Sequence, residues 1–206
     1  MMILRSSPAS PFGRKVTIAI SLLGFDREVK VEAADTADVN DNVRQQNPLG
    51  KIPVLIAEDG TAYYDSRVIL DYLDDRAGGG KILPRDSKAR LAALRLQSLC
   101  DGILDASILL VYEGRWRPAE HRVEKWVEHQ TGKVTRGLKV LEAAPPELDA
   151  DPKALPHVGQ IALACVLGYG DLRFEGKWRA DHPRLVAWLD KFAARIPAFA
   201  ATKVSA

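Results

Sequence analysis

Three consecutive glycines, Gly78-Gly79-Gly80, divide this chain into two stretches of different hydrophobic rhythm. Before them, apolar segments are short and change period. Met2-Ile3-Leu4 is strand-like, Val16 to Leu23 is helical and stops at Gly24, and Glu28-Val29-Lys30-Val31-Glu32 alternates as a half-buried strand does. Asp38 to Gln46 reads as a short polar helix. Val54-Leu55-Ile56-Ala57 and Ala62-Tyr63-Tyr64 flank the turn at Asp59-Gly60, a strong hairpin signal. A helix follows from Asp65-Ser66, with Val68, Ile69, Tyr72 and Leu73 on one face. The order βαβαββα predicts a mixed sheet covered by helices.

Beyond the glycines no strand pattern occurs. Asp86 or Ser87 caps a long helix carrying Leu91, Leu94, Ile103, Leu104 and Ile108 and ending near Gly114. Pro118 opens a second, with Val123, Val127, Val134, Leu138 and Leu141 on one face, stopped at Pro145-Pro146. Val158 to about Gly168 is apolar on nearly all sides, which puts it at the centre of the second domain. Pro183 opens a last helix, through Ile196, that Pro197 closes. The expected organisation is an α/β domain over residues 1–77, a linker over 78–86 and an all-helical domain over 87–206.

Charge and composition narrow the function classes. With 29 Lys plus Arg against 27 Asp plus Glu and no long single-sign run, the chain predicts no nucleic-acid partner. No apolar stretch approaches the roughly 20 residues that span a bilayer, and no signal-peptide core opens the sequence, so no membrane contact and a cytoplasmic location are expected. Cys100 and Cys165 sit in apolar helical runs without metal or redox spacing and read as buried thiols. His121, His129, His157 and His182 are scattered, so no metal site is expected. Arg14-Lys15 and Arg115-Trp116-Arg117 read as small solvated basic spots.

The chemistry concentrates in Arg5-Ser6-Ser7-Pro8-Ala9-Ser10-Pro11-Phe12-Gly13-Arg14-Lys15. Ser-Pro is a strong helix start, because Ser at the N-cap accepts from a free amide and Pro at the first position gives up a donor that had no partner. The result is a hydroxyl at the positive end of a helix, a place that suits an anion or thiolate. On this stretch alone Ser10 reads first as a plain cap, since capping serines are far commoner than catalytic ones.

Three motifs together carry a resemblance over essentially the whole chain. Asn47-Pro48-Leu49-Gly50-Lys51-Ile52-Pro53-Val54-Leu55, the Asp65-Ser66 pair and the Ser10-Pro11-Phe12 opening resemble the cytosolic glutathione S-transferase family, in its bacterial, theta- or beta-like, N-terminal serine type. The resemblance implies a thioredoxin-like first domain that binds glutathione through Phe12, Lys51, Ile52, Pro53, Val54, Asp65 and Ser66. In it Pro53 is cis, Val54 pairs with the cysteinyl backbone, Ser66 holds the γ-glutamyl carboxylate, Asp65 faces its ammonium and Lys51 reaches the glycyl end. Ser10 becomes the hydrogen-bond donor to the glutathione thiolate, with Ser7 its competitor in the same loop. Pro8 stands where a cysteine would complete the Ser-Ser-Cys run of zeta-like members.

An apolar pocket for the electrophile would be lined by Pro8, Phe12, Ile108, Tyr112 and Trp116. Glutathione is implied as co-substrate, with no tightly bound cofactor, in a homodimer whose partner contributes Asp101 or Asp105. The reaction implied is conjugation to small hydrophobic electrophiles. The alternatives are a specialised glutathione-dependent lyase, dehalogenase or peroxidase, or a non-catalytic binding module of the same fold. One departure is His157 with Gln160, where the family opens its central helix with Ser or Thr and Asp; His is a weak cap.

Overall fold

The sheet is built around its first strand. In the computed structural model, which describes residues 1–204, β1 (Met2–Ser6) pairs parallel with β2 (Val29–Ala33) and antiparallel with β3 (Val54–Ile56), and β3 pairs with β4 (Ala62–Tyr63), giving the order β2-β1-β3-β4. Helices α1 (Pro11–Leu22), α2 (Val43–Gln46) and α3 (Ser66–Arg76) complete the βαβαββα order expected. This is a thioredoxin-like domain followed by helices only: α4 (Ser87–Trp116), α5 (Glu124–Ala143), α6 (Val158–Phe174), α7 (Pro183–Arg195) and α8 (Pro197–Ala201).

Helices α1 and α3 each face two cores. Val16 and Ile20 of α1 with Ile69 and Leu73 of α3 pack on Met2, Leu4 and Leu55 of the sheet. Ile18, Ala19 and Leu70, on the same two helices, join the larger core around α6. Residues 158 to 167 of α6 are all buried, as its apolar circumference requires. Gly159 sits so close to α4 that a Cβ there would lie 2.7 Å from the Ala93 carbonyl oxygen.

The linker is pinned rather than loose. Asp74, itself buried, accepts from the Gly80, Lys81 and Ile82 amides at 2.8, 2.8 and 2.7 Å. Gly78, Gly79 and Gly80 all adopt positive φ, the conformation for which glycine is needed. The Val158 amide then donates to the Ile82 carbonyl at 2.9 Å, tying the linker to α6.

Several local expectations change. Only Val43–Gln46 of the 38–46 segment is helical. Asp38 and Asp41 spend their carboxylates on nearby amides, Asn40 and Val43 respectively, and this competes with helix formation. Helix α4 runs past Gly114 to Trp116, and α6 runs past Gly168 to Phe174. Pro118 begins a 3-10 turn, Ala119–His121, and α5 starts only at Glu124. Pro197 opens α8 instead of ending the chain's helices, occupying the first position that proline tolerates.

His157 proves a working cap. Its Nδ1 accepts from the Gly159 and Gln160 amides at 3.2 and 3.4 Å, and Gln160 Oε1 accepts from the His157 amide at 2.9 Å. A neutral imidazole has the lone pair this needs, and burial holds the His157 pKa below its ordinary value.

Candidate active site

Ser10 stands where a strand end, a turn and a helix start converge. Its amide donates to the Ser7 carbonyl at 2.9 Å, its carbonyl starts α1 by accepting from Arg14, and its Oγ accepts from the Gly13 amide at 3.1 Å. Capping uses a lone pair, so the hydroxyl hydrogen stays free to donate elsewhere. In the first turn of α1, Gly13 lies close against β1, where a Cβ would fall 1.9 Å from Ser6 Oγ and force that hydroxyl to move. Ser7 is half-buried and contributes its carbonyl, not its hydroxyl, to the turn.

The Ile52–Pro53 bond is cis, as is Tyr64–Asp65. Val54 opens β3 opposite Arg5, while β4 reaches only as far as Leu55 through Tyr63, so no β4 residue faces Val54. Asp65 is the N-cap of α3, with one carboxylate oxygen accepting from the Arg67 amide at 2.9 Å. Ser66 begins α3 with 2% exposure. Two helix N-termini, those of α1 and α3, thus flank the open end of β3, and each offers free amides to an anion.

A buried ionic junction lies under these helices. Asp101 of α4 accepts from Lys15 Nζ of α1 at 2.5 Å and from Arg67 Nε of α3 at 2.9 Å. The Lys15 and Asp101 side chains are 0% and 1% exposed. Asp101 is therefore spent within its own chain, which corrects its assignment as a carboxylate reaching a partner subunit. Lys15 is likewise no solvated spot, and its ammonium also lies 5.2 Å from the Phe12 ring centre. Asp105, one turn along α4, is exposed. Partial burial and the Asp101 charge raise its pKa, against the pull of Lys51, Arg67 and Lys15, so exposed Lys51 stands within electrostatic reach of it.

A cavity of about 600 Å³ opens beside Ser10, between the β1–α1 loop and α6, α7, α8 and the segment Thr202 to Val204. Pro8 and Ser10 form one wall and Tyr169 another. Arg14 crosses it, donating to the Phe199 carbonyl at 2.6 Å and Thr202 Oγ1 at 3.1 Å, with its guanidinium 4.1 Å from the Phe199 ring centre. Cys165 also lines the cavity, but burial pushes its thiol up to about 12, so it stays protonated. Of the residues assigned to an electrophile pocket, Pro8 lines this cavity. Phe12 and Ile108 are half-buried against the helical core, and Tyr112 and Trp116 are exposed at the end of α4. Among the described residues no cluster of His, Cys, Asp and Glu is arranged to hold a metal, and no helix is long and apolar enough to cross a membrane.

Sequence reasoning missed Asp101, Lys15 and Arg67 as a unit, and Tyr169 altogether. The only local signal for the first was a lysine on the inward side of α1, three positions before Ile18.

The fold and site together define a thioredoxin-like domain joined to a helical one, and comparison bears out the class. The pattern for the glutathione S-transferase N-terminal domain matches residues 4–81, and that for the C-terminal domain matches residues 124–191. The chain belongs to the glutathione S-transferase family. It is 36% identical over 196 residues to the uncharacterized GST-like protein YibF of Escherichia coli K12, covering 94% of this chain and 95% of that one. A glutathione transferase family member from Pseudomonas fluorescens Pf-5, solved with bound glutathione, is 40% identical with a TM-score of 0.90 and full coverage of both chains. A glutathione S-transferase from Methylobacillus flagellatus KT, also glutathione-bound, is 35% identical with a TM-score of 0.89, again covering both chains completely.

Proposed function

We propose that this protein is a glutathione transferase that joins the glutathione thiolate to small hydrophobic electrophiles, with Ser10 as the thiolate's hydrogen-bond donor. The observation that carries this is the Ser10 hydroxyl at the N-terminus of α1, capping through its oxygen and keeping its hydrogen to give. Three features around Ser10 support a place for glutathione. The β4-side edge of β3 at Val54, which no β4 residue faces, suits the cysteinyl backbone, the Ser66 end of α3 suits the γ-glutamyl carboxylate, and the second oxygen of Asp65 suits the ammonium. Relatives at 35–40% identity that hold glutathione support the choice of ligand.

In the step itself, a thiol of ordinary pKa about 8.5 ionises more readily beside a helix N-terminus and a donor, each unit being about 1.4 kcal/mol. The thiolate forms a C–S bond with the electrophilic carbon, and the displaced pair leaves with a departing group or collects a proton from solvent. Cys165, held as a thiol, takes no part. Exposed Val68, Leu91 and Leu109 on α3 and α4 suit a homodimer contact, which light scattering would read as twice the chain mass.

Two variants test Ser10. Ser10→Ala removes donor and cap, whereas Ser10→Asp keeps the cap but presents no hydrogen when ionised. Both should lower turnover of 1-chloro-2,4-dinitrobenzene on the order of tenfold to a hundredfold, the worth of a hydrogen bond to a charged group, while Ser10→Asp keeps its melting temperature. Equal turnover in Ser10→Ala removes Ser10 from the mechanism. No retention on glutathione resin and no turnover by the parent protein would overturn the whole reading.

A further inference from the structure

Arg14 stands in the wall of the cavity beside Ser10, and the transfer step leaves it unassigned. Its amide donates to the Ser10 carbonyl at 2.9 Å, so the two side chains leave α1 one turn apart, and both line the same cavity. The guanidinium is held at two of its three nitrogens. Nε donates to Thr202 Oγ1 at 3.1 Å and Nη2 to the Phe199 carbonyl at 2.6 Å, while the Phe199 ring centre lies 4.1 Å from the guanidinium carbon. Nη1 has no hydrogen-bond partner among the described residues. It lies against Gly168, another wall residue, where a Cβ would fall 2.4 Å from it.

Among the described residues no carboxylate pairs with this cation. Asp171, whose charge reaches Arg14, is held by Arg179 at 2.7 Å and by the Trp178 indole at 2.9 Å. Asp190, also in the wall, is exposed and acts on Arg179. Burial lowers the Arg14 pKa, yet a guanidinium stays charged in such a place. Tying α1 to α8 accounts for Nε and Nη2 and gives no reason to set a third donor in a cavity wall. Gly168 lies inside α6, where glycine weakens a helix relative to alanine, and the room its missing Cβ leaves is the room Nη1 occupies. A fixed donor in a partly dry cavity is suited to stabilise negative charge as it develops on an oxygen.

We propose that Arg14 is a catalytic residue of the transfer: an α,β-unsaturated ketone or aldehyde seated in the cavity takes the glutathione thiolate at its β-carbon beside Ser10, while Nη1 of Arg14 donates to its carbonyl oxygen. This rests on the transfer reaction proposed above and names its acceptor class. The thiolate forms the C–S bond, the alkene π pair shifts towards the carbonyl carbon, and the carbonyl π pair collects on oxygen as an enolate. That oxygen then carries the charge that left sulfur, and the guanidinium holds it. A proton from water completes the α-carbon and restores the carbonyl, balancing the proton that the thiol released. Tyr169 and Phe199 give the body of the acceptor apolar walls. Displacement of a halide instead sends the charge out at the reacting carbon, beside Ser10, and draws less on Arg14.

The test compares benzylideneacetone with benzyl chloride, two phenyl compounds that differ in where the charge goes. Arg14→Gln should lower kcat/KM for the enone on the order of tenfold to a hundredfold more than for the chloride, with the loss in kcat rather than KM, as for an interaction made only in the transition state. Arg14→Lys, which keeps the charge but not the planar fork, should recover part of it. Gly168→Ala keeps the guanidinium but pushes Nη1 from its place, and should move the ratio of the two substrates the same way. Were Arg14 only a tie between α1 and α8, both substrates would fall together. An unmoved ratio in Arg14→Gln overturns the proposal, and if that variant does not fold, the ratio in Gly168→Ala decides it. A parent protein that leaves the enone unreacted also overturns it. Turnover of benzyl chloride and 1-chloro-2,4-dinitrobenzene judges transfer separately, so the proposal can fail while transfer stands.

Discussion

Asp101→Ala strips one acceptor from two cations at once, and the two lose unequally. Arg67 is 51% exposed and recovers water, so its share is the small one of a surface pair, about 0–1 kcal/mol. Lys15 is wholly buried, and its ammonium would lose the carboxylate it is paired with. Removing one partner of such a pair costs about 3–5 kcal/mol. For a chain of this size that corresponds to a fall in Tm of about 6–20 °C. Lys15→Met should sit at the lower end, since Asp101 keeps Arg67. The double variant Lys15→Met/Asp101→Leu should regain most of the loss, because apolar replacement of both partners is often neutral. Urea unfolding followed by circular dichroism measures all three. A loss below about 1 kcal/mol in Asp101→Ala, or a double variant worse than the sum of the singles, would refute the reasoning.

The His157 cap predicts a pH effect of definite sign. Its folded pKa is depressed, so the unfolded chain binds the extra proton first, and the cap's contribution is full above about pH 6.5 and is lost as pH falls through the lower folded value. His157→Asn caps without titrating, so its stability curve should be flatter over that window, and parallel curves would discount the neutral imidazole. Gly159→Ala forces a Cβ against the Ala93 carbonyl oxygen and Leu96 and should cost about 1–3 kcal/mol in a thermal melt. An unchanged melt would mean that α4 and α6 can separate at no expense.

Sequence period and caps located the strands and long helices, because each depends on neighbours within a few positions. Ser10, Asp65 and Asp86 cap α1, α3 and α4 as their residue types require. The cis Ile52–Pro53 bond came only through the resemblance, since an X-Pro pair is locally compatible with either isomer. What stayed hidden is what distance in sequence hides. Asp101 meets partners 86 and 34 positions away, and nothing in Leu99-Cys100-Asp101 marks a carboxylate that will be buried. The cavity draws its walls from residue 8 to residue 204. The His157 cap was undervalued because a rank order of capping residues omits the protonation state that burial selects.

The sharing of α1 and α3 between two cores bears on how the molecule comes apart. A chain severed at Gly78-Gly79-Gly80 would leave Ile18, Ala19 and Leu70 facing water on one fragment and an uncovered patch around α6 on the other. Neither fragment is then expected to fold alone. The two domains should melt in a single transition, and the slowest-exchanging amides of α1 and α6 should open together, at one common free energy.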